Sequence, residues 1–126
     1  MRILGIDYGK KKIGLSIATS PIAEPYKVVR FKSEEEMLEK LSRVSKTLRV
    51  AKIVVGVSEG KMGKESRRFG SKIEEKLKIP VVFQDETLTT REAQELSRKA
   101  GLKRKKRRGL EDAYSATLIL QRYLDN

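Results

Sequence analysis

Two apolar stretches separated by a polar break open the chain. Residues 2–8 and 13–18 are rich in β-branched and other apolar side chains, a composition typical of strands. The break between them contains a glycine and predicts the loop of a β-hairpin. Partial alternation of apolar and polar positions over residues 24–31 predicts a third antiparallel strand, and two nearby prolines indicate an edge or a turn. The chain is therefore expected to begin with three antiparallel strands.

A helical period follows the third predicted strand. Ser33 and Glu36 form a capping-box pattern, and apolar residues then recur on one helical face. This spacing predicts an amphipathic helix over residues 34–48 that covers a sheet. The nearly continuous apolar run at residues 51–57 is typical of a strand buried on both faces. We expect that strand to be central and parallel to its neighbour.

The rest of the chain alternates between helix and strand. A loop at residues 58–63 precedes a helix with apolar positions inward, and another buried strand is predicted at residues 79–83. Thr89 and Glu92 form a second capping box, which predicts a helix that ends at Gly101.

The carboxyl-terminal part combines a basic run with a last helix. Residues 103–108 are six consecutive basic residues, and we expect residues 102–109 to form a mobile loop. The last predicted helix, over residues 111–125, buries alanines and leucines and carries Glu111 and Asp112 in its first turn.

This order of elements indicates the fold class. Three hairpin-connected strands are followed by helix, strand, helix, strand, helix and helix. With right-handed crossovers, the order predicts an α/β fold with a mixed five-stranded sheet, three antiparallel strands and then parallel strands, and helices on both faces. A chain of 126 residues can bury one core but is too short for two lobes, so residues 1–126 are predicted to form a single domain.

The charge of the chain favours a polyanionic partner. Lysine and arginine number 29 against 17 acidic residues, which gives a net charge of +12 and a pI of about 10.0. Nucleic acid is the leading candidate for such a partner. On the second predicted helix Lys64, Arg68 and Lys72 recur every fourth residue and form a basic stripe. A merely solvated face explains any single one of these residues equally well.

Composition also excludes several kinds of chemistry. The chain has no cysteine and no histidine, which excludes disulfides, thiolate zinc sites and histidine acid/base catalysis. Catalysis would have to use carboxylates, hydroxyls or lysines. No signal pattern and no apolar run of membrane-spanning length occurs, so we expect a soluble, cytoplasmic protein. No predicted amphipathic helix pairs a broad apolar face with a basic one, which argues against binding to a membrane surface.

Acidic residues are expected to meet at one edge of the sheet. Asp7 ends the first strand, Asp85 and Glu86 follow the fifth, and Asp112 lies on a helix that can pack over the same edge. Because clustered carboxylates resist ionisation unless a cation neutralises them, the pattern predicts two Mg²⁺ or Mn²⁺ ions for phosphodiester hydrolysis. Each acid also has a structural interpretation. Asp7 would bind the backbone amides of its own turn, and Asp112 would be a first-turn acid favoured by the helix dipole.

Three segments resemble the signature blocks of one family. They are Ile-Asp-Tyr-Gly-Lys-Lys-Lys-Ile-Gly-Leu at residues 6–15, Asp-Glu-Thr-Leu-Thr-Thr at residues 85–90, and residues 112–124. In this order they resemble the YqgF/RuvX family over nearly the whole chain. The resemblance implies an RNase H-like fold related to the RuvC Holliday-junction resolvases. It also implies a bacterial cytoplasmic nuclease, described both as a junction resolvase and as a factor in maturing the 5′ end of 16S ribosomal RNA.

The resemblance also implies a set of site residues. By motif position, the catalytic and metal-binding acids would be Asp7, Glu86 and Asp112. The chain departs from the family pattern at Thr87, where an arginine is usual, and at residues 58–63, where a Pro-x-Asn-x-Asp-Gly-like loop is usual. RuvC-like enzymes take a metal-binding glutamate from the end of the strand before that loop. We therefore hypothesise that Glu59 assists or replaces Glu86 as a ligand.

Three functions are compatible with the sequence. The first is a metal-dependent endonuclease that processes the 5′ end of pre-16S rRNA or resolves Holliday junctions, as a monomer or a homodimer. Its phosphate contacts would be Lys11, Lys12, Lys64, Arg68, Arg104 and Arg107. The second is a non-catalytic RNA-binding or ribosome-associated protein. The third is an actin-like or sugar-kinase-like nucleotide site, against which the short length of the chain counts heavily.

Overall fold

The strands and helices follow the predicted order. The computed structural model describes residues 2–58, 60–85 and 104–126, and for residues 104–109 it describes the backbone alone. In chain order the elements are β1 (Arg2–Asp7), β2 (Lys12–Ala18), β3 (Ala23–Arg30), α1 (Glu34–Thr47), β4 (Val50–Val57), α2 (Lys61–Leu77), β5 (Val81–Asp85) and α3 (Arg104–Asp125).

The five strands form one mixed sheet in the order β3-β2-β1-β4-β5. β2 is antiparallel to both β1 and β3, whereas β4 is parallel to both β1 and β5. The predicted mixed sheet and the central, parallel position of β4 are therefore confirmed. The parallel strands β1, β4 and β5 end side by side at Asp7, Val57 and Asp85. We call this side of the sheet the carboxyl edge.

Helices cover both faces of the sheet, as predicted. α1 and α2 pack on one face, where Phe69 belongs to the larger hydrophobic core. α3 packs on the other face against β1, β2 and β3, and its Leu120 belongs to a second core. In β4, Ile53 and Val55 join the first core and Val54 joins the second. β4 is thus buried on both faces, as its continuous apolar run predicts.

Local signals explain where the first two helices begin. The hydroxyl oxygen of Ser33 accepts a hydrogen bond from the backbone N–H of Glu36 at 3.1 Å, which caps α1 as the capping-box pattern predicts. α2 begins after Gly60, whose φ of 80° lies in the region that favours glycine. Because this turn directs the chain into the helix, α2 starts at Lys61, inside the loop predicted for residues 58–63.

β3 is an edge strand, as its prolines indicate. Pro25 lies within β3, and a proline has no N–H with which to extend a ladder. The pairing between β2 and β3 also shifts register, because Leu15 pairs with Lys27 whereas Ser16 pairs with Pro25. Tyr26 is the extra residue of this bulge. The outer side of β3 is therefore interrupted.

Two further predicted boundaries are wrong. The basic segment 102–109 was expected to be a loop, but its residues 104–109 are helical and belong to α3. Lysine and arginine are good helix formers, and extending a helix that is already packed requires no new nucleation. The strand predicted at residues 79–83 instead spans Val81–Asp85, because Pro80 cannot donate a hydrogen bond to the ladder.

Part of the prediction lies outside the described residues. This applies to the helix expected from Thr89 to Gly101, to Thr87, and to two candidate ligands, Glu59 and Glu86. Among the helices that the structure does describe, none is both long and apolar enough to cross a bilayer.

Candidate active site

Asp7 is the last residue of β1, at the carboxyl edge. It is half-buried and lies opposite Gly14 of β2 in the antiparallel register. Side chains alternate along a strand, and the neighbouring Ile6 belongs to the core under α1 and α2. Asp7 therefore lies on the face of the sheet that α3 covers.

Asp112 reaches the same position from α3. At Gly14 the backbone of β2 lies so close to α3 that a Cβ atom would collide with the carbonyl oxygen of Asp112. Only glycine permits this approach. Because Gly14 is also the cross-strand partner of Asp7, both aspartates are neighbours of the same glycine. The structure thus brings together two of the three acids that the sequence predicts for the site.

Buried contacts further along α3 hold this arrangement in register. The hydroxyl of Ser16 on β2 donates a hydrogen bond to the carbonyl oxygen of Ala116 at 2.7 Å, and both residues are buried. At Gly5 on β1 a Cβ atom would contact the Ser16 hydroxyl, the Leu120 side chain and the Ala116 carbonyl. Small residues on β1 and β2 therefore let α3 lie directly on the sheet, and this packing fixes the position of Asp112 relative to Asp7.

Lys12 contributes a positive charge to the site. Its Nζ lies 2.9 Å from Oδ2 of Asp112, and the two side chains are 40% and 32% exposed. Lys12 was predicted to be a phosphate contact, and its ion pair with Asp112 was not predicted. The motif spacing contained a signal for it, because Lys12 and Gly14 lie on the same face of β2.

The donor atoms at this edge suit a hard divalent cation. Asp7 and Asp112 offer carboxylate oxygens, which Mg²⁺ and Mn²⁺ prefer. Within residues 2–58, 60–85 and 104–126, no three acidic side chains lie close enough together to form a metal site. Asp85 ends β5 opposite Val57 and is exposed. Asp7, Asp112 and Lys12 are thus charged residues that the structure places near Gly14.

Tyr8 lies next to the site and was not among the predicted site residues. It follows Asp7, and its ring stacks on that of Phe69 from α2, with centroids 4.5 Å apart and an angle of 29° between the planes. Burial raises the pKa of the Tyr8 hydroxyl, and the negative charge of Glu65 raises it further. The hydroxyl therefore stays protonated at neutral pH. An aromatic residue directly after the first acidic residue is the sequence signal that could have identified it.

The predicted phosphate contacts have different surroundings. Lys11 and Lys64 are exposed. Arg68 and Lys72 of the basic stripe both contact Glu34 of α1, so part of the stripe's charge is balanced within the protein. Arg104 and Arg107 belong to the first turns of α3, where the structure describes the backbone alone.

Comparison with protein sequences places the chain among named relatives. A protein of Caldanaerobacter subterraneus subsp. tengcongensis named "Putative pre-16S rRNA nuclease" is 41% identical over 135 residues, covering 100% of this chain and 97% of the relative. A protein of Dictyoglomus thermophilum with the same name is 38% identical over 134 residues, covering 100% of this chain and 96% of the relative. The similarity extends over the full length of both partners.

Comparison with solved structures identifies the fold. The Thermus thermophilus RuvC structure, in complex with a Holliday junction substrate, matches with a TM-score of 0.68 at 18% identity, covering 99% of this chain and 95% of that one. A fowlpox virus resolvase, in complex with Holliday junction DNA, matches with a TM-score of 0.63 at 14% identity, covering 99% and 97%. These matches confirm the predicted RNase H-like fold. The family described as RuvX, Holliday junction resolvase, matches residues 1–126, and the chain therefore belongs to the RuvX family.

Proposed function

We propose that this chain is a metal-dependent endonuclease that hydrolyses phosphodiester bonds in structured nucleic acid. The observation that carries the proposal is that Asp7 and Asp112 are both neighbours of Gly14 at the carboxyl edge. Two separate elements deliver these carboxylates, and a close backbone contact holds them there. This precision is expected of a catalytic site and is unnecessary for two solvated surface acids.

The acidic residues would hold the metal. Mg²⁺ or Mn²⁺, bound as two ions, would supply a reactive water and charge stabilisation for the leaving oxygen. Asp7 and Asp112 would ligate through their carboxylates, joined by Glu86, which follows β5 in the sequence. Glu59 is a further candidate ligand within this proposal. Lys12 balances part of the charge of Asp112 and positions that side chain.

The basic surface would hold the nucleic-acid backbone. The net charge of +12 supports binding through phosphates, which is salt-dependent and does not read sequence. With three phenylalanines, four tyrosines and no tryptophan, the chain offers few base-stacking residues. We therefore expect recognition of backbone and shape. Lys11 and Lys64 are exposed and would contribute to this surface together with Lys12, Arg68, Arg104 and Arg107.

Two substrates are proposed, in order of preference. The first is a precursor of 16S ribosomal RNA, cut at its 5′ end. Relatives that match over nearly their full length are named pre-16S rRNA nuclease, and the 5′ end is our own addition. The second is a four-way DNA junction, because the family description and the structural neighbours refer to Holliday junctions. Action on ribosomal precursors would take place in the cytoplasm.

The deciding experiment compares both substrates directly. Wild type and Asp7→Asn would be incubated with a 5′-extended ribosomal RNA precursor and with a four-way DNA junction, with Mg²⁺ and then with Mn²⁺. We expect metal-dependent cleavage of one substrate by wild type and a loss of at least about 100-fold in the variant, because a metal ligand is removed. Tight, salt-sensitive binding with no cleavage of either substrate would contradict the proposal and favour a non-catalytic RNA-binding protein.

A further inference from the structure

Glu34 connects α1 to the basic stripe of α2. Its Oε1 lies 2.5 Å from Nζ of Lys72, and its Oε2 lies 3.4 Å from both terminal nitrogens of Arg68. Arg68 and Lys72 are one helical turn apart on α2, so both cations point at one carboxylate. We call these three residues the Glu34 bridge.

The carboxylate of the Glu34 bridge is ionised at neutral pH. Glu34 is the first residue of α1, directly after the capping residue Ser33, and the positive end of the helix dipole stabilises a negative charge there. The hydrogen bond from Lys72 lowers the pKa of Glu34, and the charge of Arg68 lowers it further. At neutral pH the bridge therefore contains one full negative charge between two positive charges.

The Glu34 bridge lies beside the proposed active site. The ring of Tyr8, directly after Asp7, stacks on Phe69, and Phe69 is the neighbour of Arg68 on α2. Because Arg68 and Phe69 are consecutive on α2, the bridge lies next to the contact between α2 and Tyr8. Asp7 faces α3, so a nucleic-acid strand that ran from Asp7 around the carboxyl edge to α2 would meet Arg68 and Lys72.

A guanidinium and an ammonium that converge on one oxyanion form a typical phosphate site. We propose that Arg68 and Lys72 form a binding site for a backbone phosphate, that Glu34 occupies this site in the free protein, and that nucleic acid displaces Glu34 on binding. The inference rests on the proposed nucleic-acid function. The three side chains are 31% to 50% exposed, and such ion pairs are weak. Glu34 therefore lowers the affinity for nucleic acid without preventing binding.

The α1 surface offers a matched control for charge. Glu39 also lies on α1 and forms an ion pair with Arg43 at 2.9 Å. Glu39→Gln removes the same charge from the same helix and also frees an arginine. That arginine, Arg43, belongs to α1 itself and not to the basic stripe of α2. Any difference in nucleic-acid affinity between Glu34→Gln and Glu39→Gln therefore results from the position of the removed charge, because both variants have the same net charge.

The test is equilibrium binding of a fluorescent four-way DNA junction, and separately of a ribosomal RNA precursor, at several salt concentrations and without metal. We expect Glu34→Gln to bind about three- to tenfold more tightly than wild type at low salt, in keeping with the loss of two weak ion pairs. Glu39→Gln should change affinity by less than about twofold. Arg68→Gln should weaken binding more in the Glu34→Gln background than in wild type, because Arg68 is already engaged in wild type.

Each outcome has a distinct meaning. If wild type binds but Glu34→Gln binds no more tightly than Glu39→Gln, the phosphate-site inference is wrong and the nuclease proposal stands. If Glu34→Gln binds more weakly and melts at a lower temperature, Glu34 is only a structural link between α1 and α2, and the inference is again wrong. If no variant binds either nucleic acid, both the inference and the proposed function fail.

Discussion

Two of the places where acidic and basic side chains meet in the described part of this molecule are built differently. At the carboxyl edge, Asp112 pairs with Lys12 at 2.9 Å. At the surface between α1 and α2, Glu34 pairs with Lys72 at 2.5 Å. The distances are similar, but the backbone of Asp112 is packed against Gly14, whereas Glu34 lies on the first turn of a surface helix.

The difference separates a fixed carboxylate from an exchangeable one. Moving the backbone of Asp112 would require α3 to leave the sheet, together with its buried contacts at Ser16 and Gly5. Releasing Glu34 requires only that side chains at the surface change rotamer. A metal ligand needs the first kind of support, and a group that competes with substrate needs the second. Three predictions test this comparison, from the largest expected effect to the smallest.

The largest effect is expected at Gly14. Gly14→Ala places a methyl group against the carbonyl oxygen of Asp112, so α3 must shift. We expect a loss of about 1–3 kcal/mol in the free energy of unfolding, typical of overpacking, measured by urea denaturation. The exposed Ser71→Ala on α2 is the control and should stay within about 0.5 kcal/mol of wild type. A Gly14→Ala protein as stable as the control would show that α3 is not held in place at this position.

A smaller effect is expected from the hydroxyl of Ser16. Ser16→Ala removes the buried hydrogen bond to the Ala116 carbonyl, and we expect a loss of about 1 kcal/mol. Ser45 is the matched control, because its buried hydroxyl has no hydrogen-bond partner in the described part of the chain. Ser45→Ala should be neutral or slightly stabilising. Equal losses in the two variants, measured in parallel thermal melts, would rule out a specific contribution from the Ser16 contact.

The smallest effect is expected at Lys12, whose flexible cation pairs with a fixed acid. Lys12→Gln removes the positive charge next to Asp112, so a divalent cation meets less repulsion. We expect Mn²⁺ to bind about two- to fivefold more tightly, corresponding to one weak ion pair, as measured by calorimetry. Lys11→Gln removes the same charge from an exposed neighbour and should have less effect. Equal changes in both variants would indicate a general charge effect.

The sheet could be predicted from the sequence because its signals are local. Alternating and continuous apolar runs gave the strands, and the continuous run of β4 predicted its central place, which the topology confirms. The start of α3 was predicted wrongly, because six consecutive charges suggested a loop, whereas the helix begins at Arg104. There the high helix propensity of lysine and arginine outweighed the charge pattern.

The site could be predicted only in part. The position of Asp7 at a strand end follows from the pattern, but the contact between Gly14 and Asp112 joins residues far apart in the sequence. A glycine in a strand indicates close approach without identifying the approaching group. The pairing of Glu34 with Arg68 and Lys72 was missed for the same reason. The basic stripe is periodic, but its acidic partner is on another helix.

The interrupted edge at β3 limits how two copies of this chain could associate. An exposed edge strand invites a second sheet to join it through backbone hydrogen bonds. Here Pro25 and the bulge at Tyr26 break the row of donors and acceptors, so a continuous intermolecular sheet across β3 is disfavoured. A twofold dimer acting on a symmetric junction would therefore be expected to associate through side chains on other surfaces. The same interruption should protect concentrated solutions of the protein from aggregation along this edge.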